Sequence, residues 1–439
     1  MALIITGFAG VFSDAGIATA IVQRQQATER FLSSLFWANV SAGVALSVVL
    51  FATSSLAGAF FHEPRVGIVI QALAPTFLIA NLSTVQRSLL QRDMLFNDLA
   101  KIELWASVAA CGVAILAAMR GFGVWSIVCQ QYVITAIQTI MLWRFSAWKP
   151  TVNFAWEELR SVMGFSANLT AYGVLNYWAR NADNALIGRY LGPTNLGYYG
   201  MAYRLMQYPV TAVSSLVSRV LLPSFSRLQG NESAVRQAYL QSIGFISFIT
   251  FPIMFGLLAL AGPVVELLFS KKWLPVVVPL MIFALVGANQ SLSTTTGNLY
   301  TAKGRTDLMF RVGFVNCSLY LVGIIAGLPW GVIGVALGYA VADAIATPID
   351  YHFALPLIGL CPWRIWKPMS GPLIASVLMA AMLYLISPPL YLALGLRVGL
   401  AASVFSGATA YLVWNWVVNR GQLLALLELS RQLRGAQAQ

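Results

Sequence analysis

The stretch RDMLFNDLAKIELWASVAACGVAILAAMRGFGVWSIV, residues 92–128, recurs in outline as GRTDLMFRVGFVNCSLYLVGIIAGLPWGVIGVAL, residues 304–337. Each copy opens on a basic connector carrying an acid, continues through an apolar run, turns at Gly123 or Gly331, and enters a second apolar run. A helix rising 1.5 Å per residue crosses the hydrocarbon core in about 20 residues, which is the length of these runs. The connectors inside each copy are a few residues long, so each copy reads as a transmembrane helical hairpin. A hairpin repeated at an offset of about 208 residues signals a bundle made of two related halves.

The rest of the chain extends this reading. Of 439 residues, 59% are apolar and 10% charged, against about 25% charged in ordinary soluble domains. With a mean hydropathy of +0.74, a water-soluble fold is excluded. Thirteen spans are expected, lettered A 2–22, B 34–58, C 67–85, D 102–119, E 122–143, F 161–186, G 200–222, H 241–262, I 275–297, J 308–327, K 330–349, L 369–387 and M 395–418. The outer connectors, RGFG at 120–123 and LPWG at 328–331, leave no extracytoplasmic domain to house chemistry.

The net charge of +12 raises nucleic acid as a partner, but the distribution of charge argues against it. With the C-terminus in the cytoplasm, nineteen Lys and Arg fall on inner connectors and the tail, and five (Arg65, Arg120, Lys271, Lys272 and Arg397) on the outer side. That asymmetry is the positive-inside pattern of a plasma-membrane protein. Three cations fit neither side: Arg180, Arg189 and Arg204.

Extended backwards, the repeat pairs B with H and A with G, leaving F without a partner in the first half. A helix preceding A, within about 40 further residues, is therefore expected, giving fourteen spans in the full-length form. The expected organisation is an N-terminal lobe at 1–143, a cytoplasmic linker at 144–160, a C-terminal lobe at 161–350, two additional helices at 351–418 and a cytoplasmic tail at 419–439, with an interfacial amphipathic helix at 421–434.

Polar groups inside spans are costly and point to a pathway. Span F carries Asn168, Tyr172, Asn176, Arg180 and Asn184 at strict i, i+4 spacing, one continuous stripe with Asp183 on its border. Such a stripe lines a water-filled cavity or glues F to its neighbours; five groups in register favour the cavity. Span G adds Arg204, Tyr208, Thr211, Ser215 and Ser218, and span I adds Asn289, Ser293 and Thr296 on one face. Cationic, amide and hydroxyl groups with few acids suit an anionic, hydroxyl-rich substrate, because the guanidinium fork binds phosphate bidentately and stays charged in a low dielectric. The expected substrate-binding residues are Arg180, Arg204, Arg189, Asn176, Tyr172, Asn184 and Asn289. Asp183, Asp14 and Asp343 are the carboxylates placed for ion coupling; Asp183 could instead neutralise Arg180, and Asp14 and Asp343 could cap or pack helices.

Nothing in the sequence marks an enzyme. It contains no phosphate-binding Gly-rich loop, no GxSxG, and no carboxylate pair with a companion His or Cys. Cys111, Cys129 and Cys317 lie in apolar runs and Cys361 in a connector, without CxxC spacing, and His62 and His352 stand apart. Neither a disulfide framework, a metal site nor a cofactor is expected.

The motifs FSDAGIATAIVQR (12–24), RNADNALIGRYLGPTNLGYYGMAYRL (180–205), PSFSRLQ (223–229) and GRTDLMFR (304–311) resemble the polysaccharide-transport branch of the MOP superfamily, the Wzx-type flippases. The resemblance implies an all-α polytopic membrane protein, a MOP/MATE-like two-lobe bundle. It further implies alternating access that moves undecaprenyl-diphosphate-linked repeat units across the bacterial plasma (inner) membrane, with polysaccharide polymerase and export proteins as partners. The alternatives are a MATE-type exporter of small molecules, expected to show more acids and aromatics, and a membrane polysaccharide polymerase or ligase, expected to need a large outer loop.

Overall fold

The computed structural model describes residues 1–14, 21, 28–227 and 232–420, and within these the side chains of several helical residues lie outside the description, among them Asp14, Asn168, Tyr172, Asn176, Arg180, Ser215 and Ser218. The expected tail helix at 421–434 and most of the 12–24 motif also lie outside the described residues. Among the described residues every regular element is helical. Two compact units are present, Met1–Gly192 and Pro193–Gln439.

The first unit contains α1 (Ala2–Asp14), α2 (Glu29–Phe60), α3 (Pro64–Asn81), α4 (Thr84–Arg92), α5 (Phe96–Met119), α6 (Trp125–Phe145) and α7 (Trp156–Tyr190). The Thr28 hydroxyl caps α2 by accepting from the Phe31 amide at 3.2 Å, and Pro64 opens α3, where a missing N–H costs nothing. The α5–α6 turn uses Gly121 (φ 81°) and Gly123 (φ 54°), a left-handed conformation that glycine adopts freely. The short helix α4 lies in what the sequence presents as a connector. Val85, Gln86, Leu89 and Leu90 face inward there while Arg87 reaches Glu103 at 2.5 Å.

Residues 144–160 do not hang free. The Ser33 hydroxyl accepts from the Thr151 amide at 3.1 Å, Ser34 accepts from the Ala155 amide at 2.8 Å, and the Trp37 indole donates to the Thr151 carbonyl at 2.9 Å. Downstream, the Tyr177 hydroxyl donates to the Ile4 carbonyl, and Phe8 lies 5.3 Å from the Trp178 ring. These contacts place α7 in the first compact unit, although its sequence counterpart in the repeat would precede α1.

The second unit contains α8 (Gly192–Arg227), α9 (Glu232–Phe269), α10 (Val277–Ala302), α11 (Thr306–Gly327), α12 (Gly331–Ala354) and α13 (Trp366–Val418), the last broken at Gly395 (φ 74°, ψ 168°), where spans L and M divide. Gly331 turns α11 into α12 at φ 68°, the counterpart of Gly123. The hairpin is tight: a Cβ on Gly323 would strike the Gly338 carbonyl, and one on Gly327 the Gly334 carbonyl. Small residues at such crossings let helix backbones approach where no hydrophobic effect drives them together.

Large apolar side chains lie outward on both units, Met119 at 79% and Leu392 at 90% exposure, as lipid contact requires. Among the described residues, seven stretches are long and apolar enough to cross a membrane by length and composition: Glu29–Phe60, Pro64–Asn81, Phe96–Met119, Glu232–Phe269, Lys271–Thr301, Asp307–Ile358 and Pro362–Val418. The last two hold spans J with K and L with M. Spans A, E, F and G coincide with α1, α6, α7 and α8, which are not among the seven. The first is short within the described residues, and polar groups such as Gln130, Gln131 and Gln138 in α6 and the stripe on α7 dilute the others. Length and composition thus establish a multi-pass helical membrane protein without confirming the count of thirteen.

Candidate functional site

In the first unit α7 runs unbroken from Trp156 to Tyr190, so the backbone positions of Asn168, Tyr172, Asn176, Arg180 and Asn184 share the face that their i, i+4 spacing predicts. Of the candidate side chains on this helix, the described ones are Asp183, Asn184 and Arg189. Asp183 is buried, and its Oδ1 accepts from the Asn184 amide at 2.7 Å. Arg189 lies elsewhere. Nine residues beyond Arg180, at 100° per residue, its Cβ leaves the opposite side of the helix. Its guanidinium contacts the His62 ring and lies 5.5 Å from the Phe60 ring, at the α2–α3 turn.

In the second unit, α8 is amphipathic in an unusual sense. Tyr199, Ala202, Met206 and Val210 are buried, Tyr199 lying 5.2 Å from the Phe283 ring. The opposite face presents Arg204, Tyr208 and Thr211, all exposed. In an apolar bundle, a cation-bearing face that the rest of its own unit leaves uncovered suits water and not hydrocarbon.

Inside the same unit a polar network joins α10, α11 and α12. Asp343, 2% exposed, accepts from the Asn289 amide at 2.6 Å and, on its other oxygen, from the Tyr320 hydroxyl at 2.8 Å and the Gln290 amide at 3.2 Å. Asn289 uses its second N–H on the Thr347 hydroxyl at 2.6 Å, and Gln290 donates to the Tyr339 hydroxyl at 2.9 Å. All of these partners are neutral. Among the described residues no ion pair involves Asp343. A buried carboxylate held only by neutral donors keeps a charge that a proton or cation can answer. Asn289, Asp343 and Thr347 of this network line a cavity of about 640 Å3.

Asn289 and Asp343, expected in separate roles, are thus brought into one cluster. Gln290, Tyr320, Tyr339 and Thr347 were missed as site residues. Gln290 adjoins Asn289, and Thr347 stands one turn from Asp343, so the sequence carried a signal for these two. Asp14, Asn168, Tyr172, Asn176 and Arg180 have helical backbones but side chains outside the described residues. Among the described residues no group of three or more His, Cys, Asp or Glu could hold a metal.

Comparison with known proteins gives consistent results. The profile of a family described as polysaccharide biosynthesis protein matches residues 1–278. The teichuronic acid biosynthesis protein TuaB of Bacillus subtilis is 28% identical over 411 residues, 93% of this chain and 85% of that protein. The lipopolysaccharide biosynthesis protein WzxC of Escherichia coli is 28% identical over 82% of this chain and 74% of its own length. In fold, the chain is similar to the lipid II flippase MurJ in an inward closed conformation (TM-score 0.74, 17% identity, 96% of this chain and 92% of that one). It is also similar to an inward-facing multidrug resistance transporter of the MATE family (TM-score 0.65, 14% identity, 83% and 90%).

Proposed function

The chain belongs to the polysaccharide biosynthesis protein family, and on that premise we propose that it is a flippase moving undecaprenyl-diphosphate-linked oligosaccharide repeat units across the bacterial plasma membrane, by alternating access, for surface polysaccharide biosynthesis. It is a transporter and not an enzyme. The observation that carries the substrate class is the exposed face of α8, with Arg204, Tyr208 and Thr211. A guanidinium offers a diphosphate two parallel charge-assisted hydrogen bonds, and hydroxyls beside it suit sugar. Asn289 and the α7 stripe, with Arg180, Asn176, Tyr172 and Asn184, add amides and a second cation to the proposed binding set; Arg189, at the α2–α3 turn, is its outlying member.

Thirteen spans with a cytoplasmic C-terminus complete the reading, supported by the nineteen-to-five distribution of cations. Repeat-related lobes at 1–143 and 161–350 are retained as a statement about ancestry, alongside compact units that divide at Gly192. Among the proposed coupling acids Asp14, Asp183 and Asp343, the strongest support falls on Asp343, buried among neutral donors. A polymerase and export proteins are the proposed partners.

The test is complementation of a bacterial strain lacking its own repeat-unit flippase. Restored surface polysaccharide, with no build-up of lipid-linked repeat units at the cytoplasmic leaflet, is expected. Build-up that persists with the protein present in the membrane contradicts the proposal.

A further inference from the structure

The cavity of about 640 Å3 in the second unit is within the range of small-molecule sites, about 300–1,000 Å3. Its lining includes Asn289, Asp343 and Thr347 together with Leu285, Trp363 and Trp366. The two indoles are 78% and 52% exposed, whereas Asp343 is 2% exposed, so the cavity grades from an aromatic mouth to a carboxylate floor.

Three occupants can be weighed against that gradient. An isoprenoid chain would fill the apolar volume and leave Asp343 further desolvated without a counter-charge, which is unfavourable. A bare metal ion would answer the carboxylate and leave most of the volume and both indoles unused. A molecule with one positive charge and an apolar body satisfies all parts, because the carboxylate attracts it strongly in a low dielectric and indole faces attract organic cations. Arg364 and Lys367 flank the mouth in sequence, but both are exposed, where water screens them far more than it screens Asp343.

We propose that this cavity binds a lipophilic monovalent organic cation, its charge on Asp343 and its apolar body against Leu285, Trp363 and Trp366. The site is read on the purified chain without transport, so its failure and the failure of the flippase reading are separate results.

The experiment is equilibrium binding of tetraphenylphosphonium to the full chain in detergent, corrected for empty micelles, with tetraphenylborate as an anion of the same shape. Saturable binding of the cation and none of the anion is expected. Asp343→Asn should weaken cation binding about tenfold or more, Asp343→Glu should retain it, and Trp366→Ala should weaken it several-fold. Asp307→Asn, a change at an exposed carboxylate outside the cavity lining, should match the unmodified chain. Equal binding of cation and anion, no saturable binding, or full affinity in a folded Asp343→Asn variant would each overturn the proposal. If Asp343→Asn does not fold, the comparison of cation with anion on the unmodified chain decides.

Discussion

Arg204 lies about 18 Å along α8 from its N-terminal end at 1.5 Å per residue, and it is exposed on the face opposite Met206. A side chain in that position contributes little to packing, so its removal should affect substrate and not folding. Hydrogen bonds to charged groups are worth about 1.5–3 kcal/mol, which corresponds to roughly a 10- to 100-fold loss for Arg204→Ala in flipping rate at low substrate. Arg204→Lys should recover only part of it, since an ammonium lacks the planar fork. Normal flipping by both variants, at normal protein levels, would remove Arg204 from the site; Arg180→Ala carries the same expectation. Asp343→Asn should abolish the dependence of transport on an imposed ion gradient while substrate still binds, and retained gradient dependence in Asp14→Asn, Asp183→Asn and Asp343→Asn alike would exclude direct carboxylate coupling. At this scale the sequence was informative residue by residue: Asn289 and Asp343 were legible as polar groups where apolar ones are the norm. Their hydrogen bond was not, because it spans 54 positions and depends on how α10 packs on α12. Tyr320 was hidden for a related reason, an aromatic in an apolar run whose hydroxyl has meaning only once its acceptor is located.

The α11–α12 hairpin shows the same division among elements. Its helices and its Gly331 turn follow from apolar period and glycine placement, but the contacts of Gly323 with Gly338 and of Gly327 with Gly334 require the crossing to be seen. Gly338→Leu should force the two backbones apart, an overpacking cost of about 1–3 kcal/mol, and lower the melting temperature of the purified protein. Gly112→Ala, where a new Cβ meets nothing within 4 Å, should leave it unchanged or raise it slightly. An unchanged melting temperature for Gly338→Leu would show that the close crossing is not a source of stability. The short helix α4 escaped sequence reading because nine residues give too few periods to distinguish a helix from a connector. The placement of α7 with the first unit escaped it because Tyr177 and Trp178 reach partners near residue 4, a contact no local pattern encodes.

For the whole molecule, composition was enough to establish a multi-pass helical protein, and charge asymmetry to propose its orientation. Cysteines introduced after Arg120 and after Trp330, in a background free of the four native cysteines, should label from outside. Labelling of both from the cytoplasm would overturn the map. The substrate could be read only as a class, since amides, hydroxyls and guanidinium groups define chemistry without fixing a sugar. The most direct measurement of the central claim is flipping in proteoliposomes, with a fluorescent undecaprenyl-diphosphate-linked oligosaccharide in both leaflets and a membrane-impermeant quencher outside. A flippase makes the whole fluorophore pool accessible, so near-complete quenching is expected with the purified chain, and about half in vesicles without it. Quenching that stays at the protein-free level with the folded protein present would contradict the account.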